Sequence, residues 1–137
     1  MDINSLAIDI EAVQEGRWVG DLPEMGDLRL RVRGFSSPKV QALRARKLRA
    51  LPKKDRERDG QPKFEAALRV TAEVLHEAVL LDWEGLTDGN KPLPYDADLA
   101  RQWLTDARFQ RFADAVATAA QIVDNGEAEA TEELAGN

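Results

Sequence analysis

Residues 28–35 read Leu28-Arg29-Leu30-Arg31-Val32-Arg33-Gly34-Phe35, with apolar and basic side chains alternating over the first six positions. Side chains of a strand point to opposite faces in turn, so Leu28, Leu30 and Val32 share one face and the three arginines the other. That is the pattern of a half-buried strand in an antiparallel sheet. Upstream, Arg17-Trp18-Val19 is followed by Gly20-Asp21-Leu22-Pro23-Glu24-Met25-Gly26-Asp27, where one proline and two glycines supply turn chemistry. The stretch Leu6 to Val13 mixes apolar and acidic residues and reads as a further strand. The N-terminal quarter is therefore expected to be a small antiparallel β hairpin or meander.

Beyond Phe35 the period changes. Ser36-Ser37-Pro38 starts a helix, with Ser37 placed to cap and Pro38 preset for the first helical position. Val40, Leu43, Leu48 and Leu51 form its stripe, and Pro52 ends it. Lys53 to Gln61 reads as an exposed, mobile loop. The clearest helix follows: Phe64, Ala67, Leu68, Thr71, Val74, Leu75, Ala78 and Val79 recur at spacings of three and four, which predicts one apolar face up to about Leu81-Asp82-Trp83. Thr87-Asp88-Gly89-Asn90-Lys91 predicts a tight turn. Asp96 caps a short helix bearing Leu99, Ala100, Trp103 and Leu104. Thr105 or Asp106 caps the last one, with Phe109, Phe112, Ala113, Val116, Ala120 and Val123, which stops at Asn125-Gly126. The fold class is α+β, a small N-terminal β hairpin or meander followed by about four α-helices. One such domain is expected over residues 1–123. The acidic residues 124–137, with four glutamates after Gly126, a single leucine and no base, are expected to be disordered.

The 137 residues give room for one core, with 43% hydrophobic and 32% charged residues and a mean hydropathy of −0.46. The longest apolar run is Ala78-Val79-Leu80-Leu81, far short of the roughly 20 residues that span a bilayer. The N-terminus has no basic flank and no apolar signal core, so no membrane and no export are expected. There is no cysteine, which excludes disulfides, thiolate metal sites and cysteine nucleophiles.

The net charge of −6 hides a segregation. Residues 1–28 carry a net of −6, residues 29–69 hold 14 of the 19 bases for a net of +10, and both later segments, 70–123 and 124–137, are at −5. Such a basic block meets either phosphates or acidic protein surfaces. Between Phe35 and Phe64 it contains no aromatic on which bases could stack, and the acidic remainder repels a polyanion, so a solvated face or a protein contact is favoured over nucleic acid.

Chemistry-bearing patterns are sparse. His76 is the single histidine and reads as a partly buried flank residue. Asp55-x-Glu57-x-Asp59-Gly60 opens like a calcium loop, but the twelfth position is Ala66 and two arginines interleave the acids. No cofactor, metal or catalytic residue is assigned. Trp18, Trp83 and Trp103, with Tyr95, Phe109 and Phe112, are expected to form one aromatic cluster pinning the turn onto the C-terminal helices. Trp18 is the ring placed to serve as a partner anchor. With it, Arg44, Arg46, Lys47 and Arg49 are the candidate partner-binding residues.

The run Val79-Leu80-Leu81-Asp82-Trp83-Glu84-Gly85-Leu86, then Asp88-Gly89-Asn90-Lys91-Pro92-Leu93-Pro94-Tyr95, then a short helix ending Trp103-Leu104 and Phe109-Gln110-Arg111-Phe112 before an alanine-rich helix, is similar to tail assembly chaperones of long-tailed bacteriophages. Trp18-Val19 and the segment Gly26 to Phe35 also resemble the front of those proteins, so the resemblance spans residues 17–123. It implies a non-enzymatic protein of the host cytoplasm, absent from the mature virion. Its partners would be the tape measure protein, which it keeps soluble, and the tail tube protein, with self-association as a further contact. In many relatives a frameshift adds a second, longer product. The alternative is a small nucleic-acid-binding or regulatory protein using residues 29–69.

Overall fold

In the computed structural model, which describes residues 1–127, the alternating stretch is the middle strand of a sheet. Strand β2 (Arg29–Val32) pairs antiparallel with β1 (Arg17–Val19) on one side and with β3 (Leu80–Glu84) on the other. Leu30 and Val32 are fully buried, and Val19, Leu30 and Trp83 lie in one row across the inner face. The arginines alternate outward as expected. Trp18, Arg31 and Asp82 form an outer row, and Arg29 pairs with Glu84.

The third strand corrects the sequence reading. Helix α3 (Phe64–Val74) does not run on to Trp83; it widens into a π-helical turn (Leu75–Val79), and the chain enters β3 at Leu80. The apolar run 78–81 suits a helix and a strand equally, and the open edge of β2 decides between them. A register shift opposite Arg31 and Val32 lets Leu80 and Trp83, three residues apart, both be buried. The strands are thus not confined to the N-terminal quarter.

The expected strand at Leu6–Val13 is also overturned. Residues Ile3–Leu6 form a 3₁₀ turn and Ile10–Glu15 the short helix α1, whose start is capped by Asp9 accepting from the Ala12 N–H at 3.1 Å. Gly16 (φ +89°) ends α1, and a Cβ there would press on Leu81 Cδ1 at 2.7 Å.

Helix α2 (Pro38–Arg49) begins with Pro38 as predicted, but Ser37 does not cap it: its side chain is buried and its hydroxyl has no hydrogen-bond partner. The loop after α2 is exposed for most of its length, yet it is built rather than loose. It holds a 3₁₀ turn (Lys53–Asp55) and a bridge between Arg56 and Pro62. The Arg56 guanidinium donates to the carbonyls of Leu48 (2.6 Å), Arg49, Leu51 and Gly60, satisfying the end of α2.

The Thr87–Asp88 and Lys91–Pro92 strands, β4 and β5, pair across Gly89-Asn90 as the turn chemistry predicts. Asp96 caps α4 (Ala97–Leu104), and Asp106 caps a 3₁₀ turn (Ala107–Phe109) leading into α5 (Gln110–Asp124). Four helices follow β2, with α1 ahead of β1, so the fold is α+β. Helix α5 lies against β1 and β2, and its alanines 113, 115, 119 and 120 are buried beside Val116 and Val123. One contiguous core joins α1, the sheet and helices α2 to α5.

Of the acidic stretch 124–137, Asp124 closes α5, and the expectation for residues 128–137 lies outside the described residues. Asp124 is also a tie. Its carboxylate accepts from Phe35 N–H (3.0 Å), Ser36 N–H (3.1 Å) and Ser36 Oγ (2.7 Å), fixing the approach to α2.

Candidate partner-binding site

The five candidate residues do not form one patch. On a helix, successive residues turn by about 100°, which places Arg46 and Arg49 on one side of α2 and Arg44 about 160° from Arg46. Arg44, Arg46 and Arg49 are exposed. Lys47 is committed inside the molecule: its ammonium meets Glu77 at 2.7 Å and Glu73 at 3.4 Å, stapling α2 to α3 and the π turn. The hydrogen bond to Glu77 holds the Lys47 pKa above its ordinary value, against partial desolvation. Trp18 sits half-buried on the outer face of the sheet, with the Arg29 guanidinium 5.4 Å from its ring centre.

Other cations of the basic segment are also tied down. Arg33 donates to the carbonyls of Gln14 and Ala78, each at 2.9 Å, Arg56 holds the α2 terminus, and Arg69 pairs with Asp55 at 3.0 Å. Asp55 is therefore paired, and Asp59 accepts from the Gln61 N–H, so two of the three acids of the calcium-like pattern already have partners within the protein. Among the described residues no group of three or more His, Asp or Glu side chains is gathered for a metal, and no helix is long and apolar enough to cross a membrane.

The aromatic cluster is present without Trp18, which the strand alternation turns to the outer face of the sheet. Trp83 stacks on Trp103 at 5.2 Å and meets Tyr95 and Phe112 edge-on; Trp103 in turn stacks on Phe109 at 5.5 Å. The Trp83 indole N–H donates to the Leu93 carbonyl at 2.9 Å, so the ring is satisfied as well as buried. Burial, then Asp82 and Asp96, push the Tyr95 phenol above its ordinary pKa.

The cluster also floors a cleft that sequence reasoning missed. An open groove of about 750 Å³ runs between the loop around Met25–Leu28 and the β4–β5 hairpin. Trp103, Phe109 and Phe112 line it with Leu28, Leu86 and Leu93, while Glu24, Asp27, Asp88 and Arg111 stand among its polar lining. Phe109, assigned from its spacing to the α5 stripe, is 37% exposed. The signal lay in the two segments that bring Met25, Leu86 and Leu93 toward the aromatics, both of which read as turns. The first is strained: Asp21 and Glu24 have positive φ of 51° and 62° without being glycine. At the base of the second, Gly85 (φ +85°) lies so close to the Asp27 carbonyl that no Cβ fits.

No curated protein and no solved structure matches the chain significantly. A family model does, over residues 35–137, which starts just after β2 and takes in three quarters of the 137 residues. By that match the chain belongs to the family of the YdaY prophage protein.

Proposed function

We propose that this prophage protein is a tail assembly chaperone, a non-catalytic protein that binds the tape measure protein, keeps it soluble and helps to bring tail tube subunits to it. It acts in the host cytoplasm and leaves before the virion matures. The resemblance over residues 17–123 supports the reading, and membership of a prophage family is consistent with it. The observation that carries it is the aromatic-floored cleft. A groove of about 750 Å³ with apolar rings at its base and charges at its edge suits the apolar face of an amphipathic helix, read as anchors at i, i+3 or i+4 and i+7. Glu24, Asp27 and Asp88 favour a helix whose flanks are basic, with Arg111 accepting an acid. Arg46 and Arg49 offer a separate cationic face for acidic segments of the same long partner, and many weak copies along it would hold by avidity.

The nucleic-acid alternative is weakened by the internal commitments of Arg33, Lys47, Arg56 and Arg69, which remove cations from the segment it needs. The test is co-expression with the tape measure protein of the same prophage. A soluble complex recovered at low salt is expected, and Phe109→Ser with Leu86→Ser should abolish it at a temperature where thermal melting shows the variant still folded. A tape measure chain that stays insoluble, with no complex on pull-down, refutes the reading. Steeply salt-dependent binding to DNA instead would favour the alternative.

A further inference from the structure

Apart from the aromatic-floored cleft, two apolar features among the described residues face solvent, and they carry opposite charge. The first is the N-terminal arm. Ile3, Leu6, Ile8 and Ile10 are 73%, 60%, 51% and 63% exposed, and residues 1–11 hold Asp2, Asp9 and Glu11 with no basic side chain. The second is on α3. Helix α3 buries Ala66, Val70 and Val74, so the predicted single apolar face is in fact two. Phe64 and Leu68, assigned to the core by their spacing, lie on the far side at 76% and 54% exposure, followed by the half-buried Thr71 and Ala72. The spacing from Phe64 to Leu68, Thr71 and Ala72 gives a solvent-facing stripe along α3.

The surroundings of the stripe are basic. Residues 44–69 carry a net charge of +6 against −3 for residues 1–11. Lys53, Lys54, Arg58 and Lys63 are exposed on the loop and at the start of α3, and among the described residues none of them is in an ion pair. The arm borders a groove of about 400 Å³ that opens beside Ser36 and Pro38, at the N-terminal end of α2. The stripe starts beside the loop that Arg56 hangs on the other end of that helix.

We propose that the acidic, apolar arm of one copy docks on the Phe64–Leu68 stripe of a second copy. Apolar patches left open on a surface favour a covering partner, and the opposite fields orient this one. Each copy presents one arm and one stripe at different places, so the contact is heterologous: it adds copies in a row unless two arms exchange reciprocally. The inference does not rest on the chaperone reading, since its test needs no tape measure protein.

The experiment uses two full-length variants and analytical ultracentrifugation at low salt. Wild type should self-associate with rising concentration, and added salt should weaken the association. Phe64→Ser with Leu68→Ser destroys the stripe and keeps the arm; Ile3→Ser, Leu6→Ser and Ile8→Ser destroy the arm and keep the stripe. Each alone should sediment as a monomer, and an equimolar mixture should give a 1:1 heterodimer and nothing larger. In parallel, a photoreactive benzoylphenylalanine at position 64 should crosslink wild-type chains to residues 1–11 of a second copy, a readout independent of how the serine variants fold. A monomeric wild type, an arm variant that still associates, a mixture that stays monomeric, or a crosslink to any other segment overturns the proposal. So does a probe at position 64 that captures another protein while the chain stays monomeric, because the stripe would then belong to that partner.

Discussion

Ser37 ends the connection between β2 and α2, Asp124 ties that connection to the end of α5, and both act in the opposite way to what their residue types suggest. Serine before a proline-initiated helix normally caps it, and its loss costs about 1 kcal/mol. Here the Ser37 hydroxyl is buried and unpartnered, so it contributes a desolvation cost and no bond. Ser37→Ala should leave the urea midpoint unchanged or raise it, a gain of up to about 1 kcal/mol; a loss of that size would restore the cap. Asp124 is the reverse case. A carboxylate at the end of α5 opposes the helix dipole, yet it accepts three hydrogen bonds from Phe35 and Ser36. Asp124→Ala should cost about 2–3 kcal/mol, since two backbone N–H groups lose a charged acceptor. Gly34→Ala should be destabilising as well, because a Cβ there would overlap the Asp124 carboxylate. If chemical denaturation finds Asp124→Ala neutral, the tie does not hold the helices.

At the scale of elements, legibility followed local periodicity. The strand at Arg29–Val32, the Pro38 start, the turn at Gly89-Asn90 and the Asp96 and Asp106 caps were all readable, because each depends on a few neighbouring residues. The π turn and β3 were not. Whether Leu80 to Glu84 continues a helix or pairs with β2 is settled by a strand about 50 residues upstream, whose open edge no local pattern shows. The two faces of α3 failed for a related reason: spacing marks Phe64 and Leu68 as apolar, and only the packing of Ala66, Val70 and Val74 says which side is inside. The aromatic cluster was legible in composition, but its role as the floor of a cleft was not, because the cleft's walls are turns. Trp83 is the element-scale anchor, joining β3 to the α4–α5 junction through Trp103, Phe112 and the Leu93 carbonyl. Trp83→Ala should cost about 3–5 kcal/mol. Trp83→Phe should cost less but release the β4–β5 hairpin, seen as faster amide exchange at the Leu93 N–H, which pairs with Leu86. A loss below about 1 kcal/mol for the alanine variant would place the ring outside the core.

Across the whole molecule, the segregated charges meet where α2, α3 and α4 converge, and this junction sets the pH response. Lys47 of α2 lies between Glu73 and Glu77, and His76 sits half-buried beside them with Arg101 of α4 among its neighbouring charges. Burial pushes the His76 pKa below its ordinary 6.5; Arg101 and Lys47 push the same way, and Glu77 and Glu73 oppose them. The sign follows from proton counting. Below 6.5 the unfolded chain takes up a proton at this histidine while the folded chain does not, so stability falls as the pH drops through that value and levels off below the folded pKa. Lys47 adds no slope in that range. Its pKa is raised, so its contribution is fully present below 10.5 and is lost only as the pH climbs through the folded value. Wild type should therefore lose stability as the pH drops through 6.5, and His76→Gln should show a flatter profile over the same range. Denaturant midpoints measured in parallel decide it. Identical slopes would mean that His76 binds its proton equally well folded and unfolded, and that the junction tolerates a cation there.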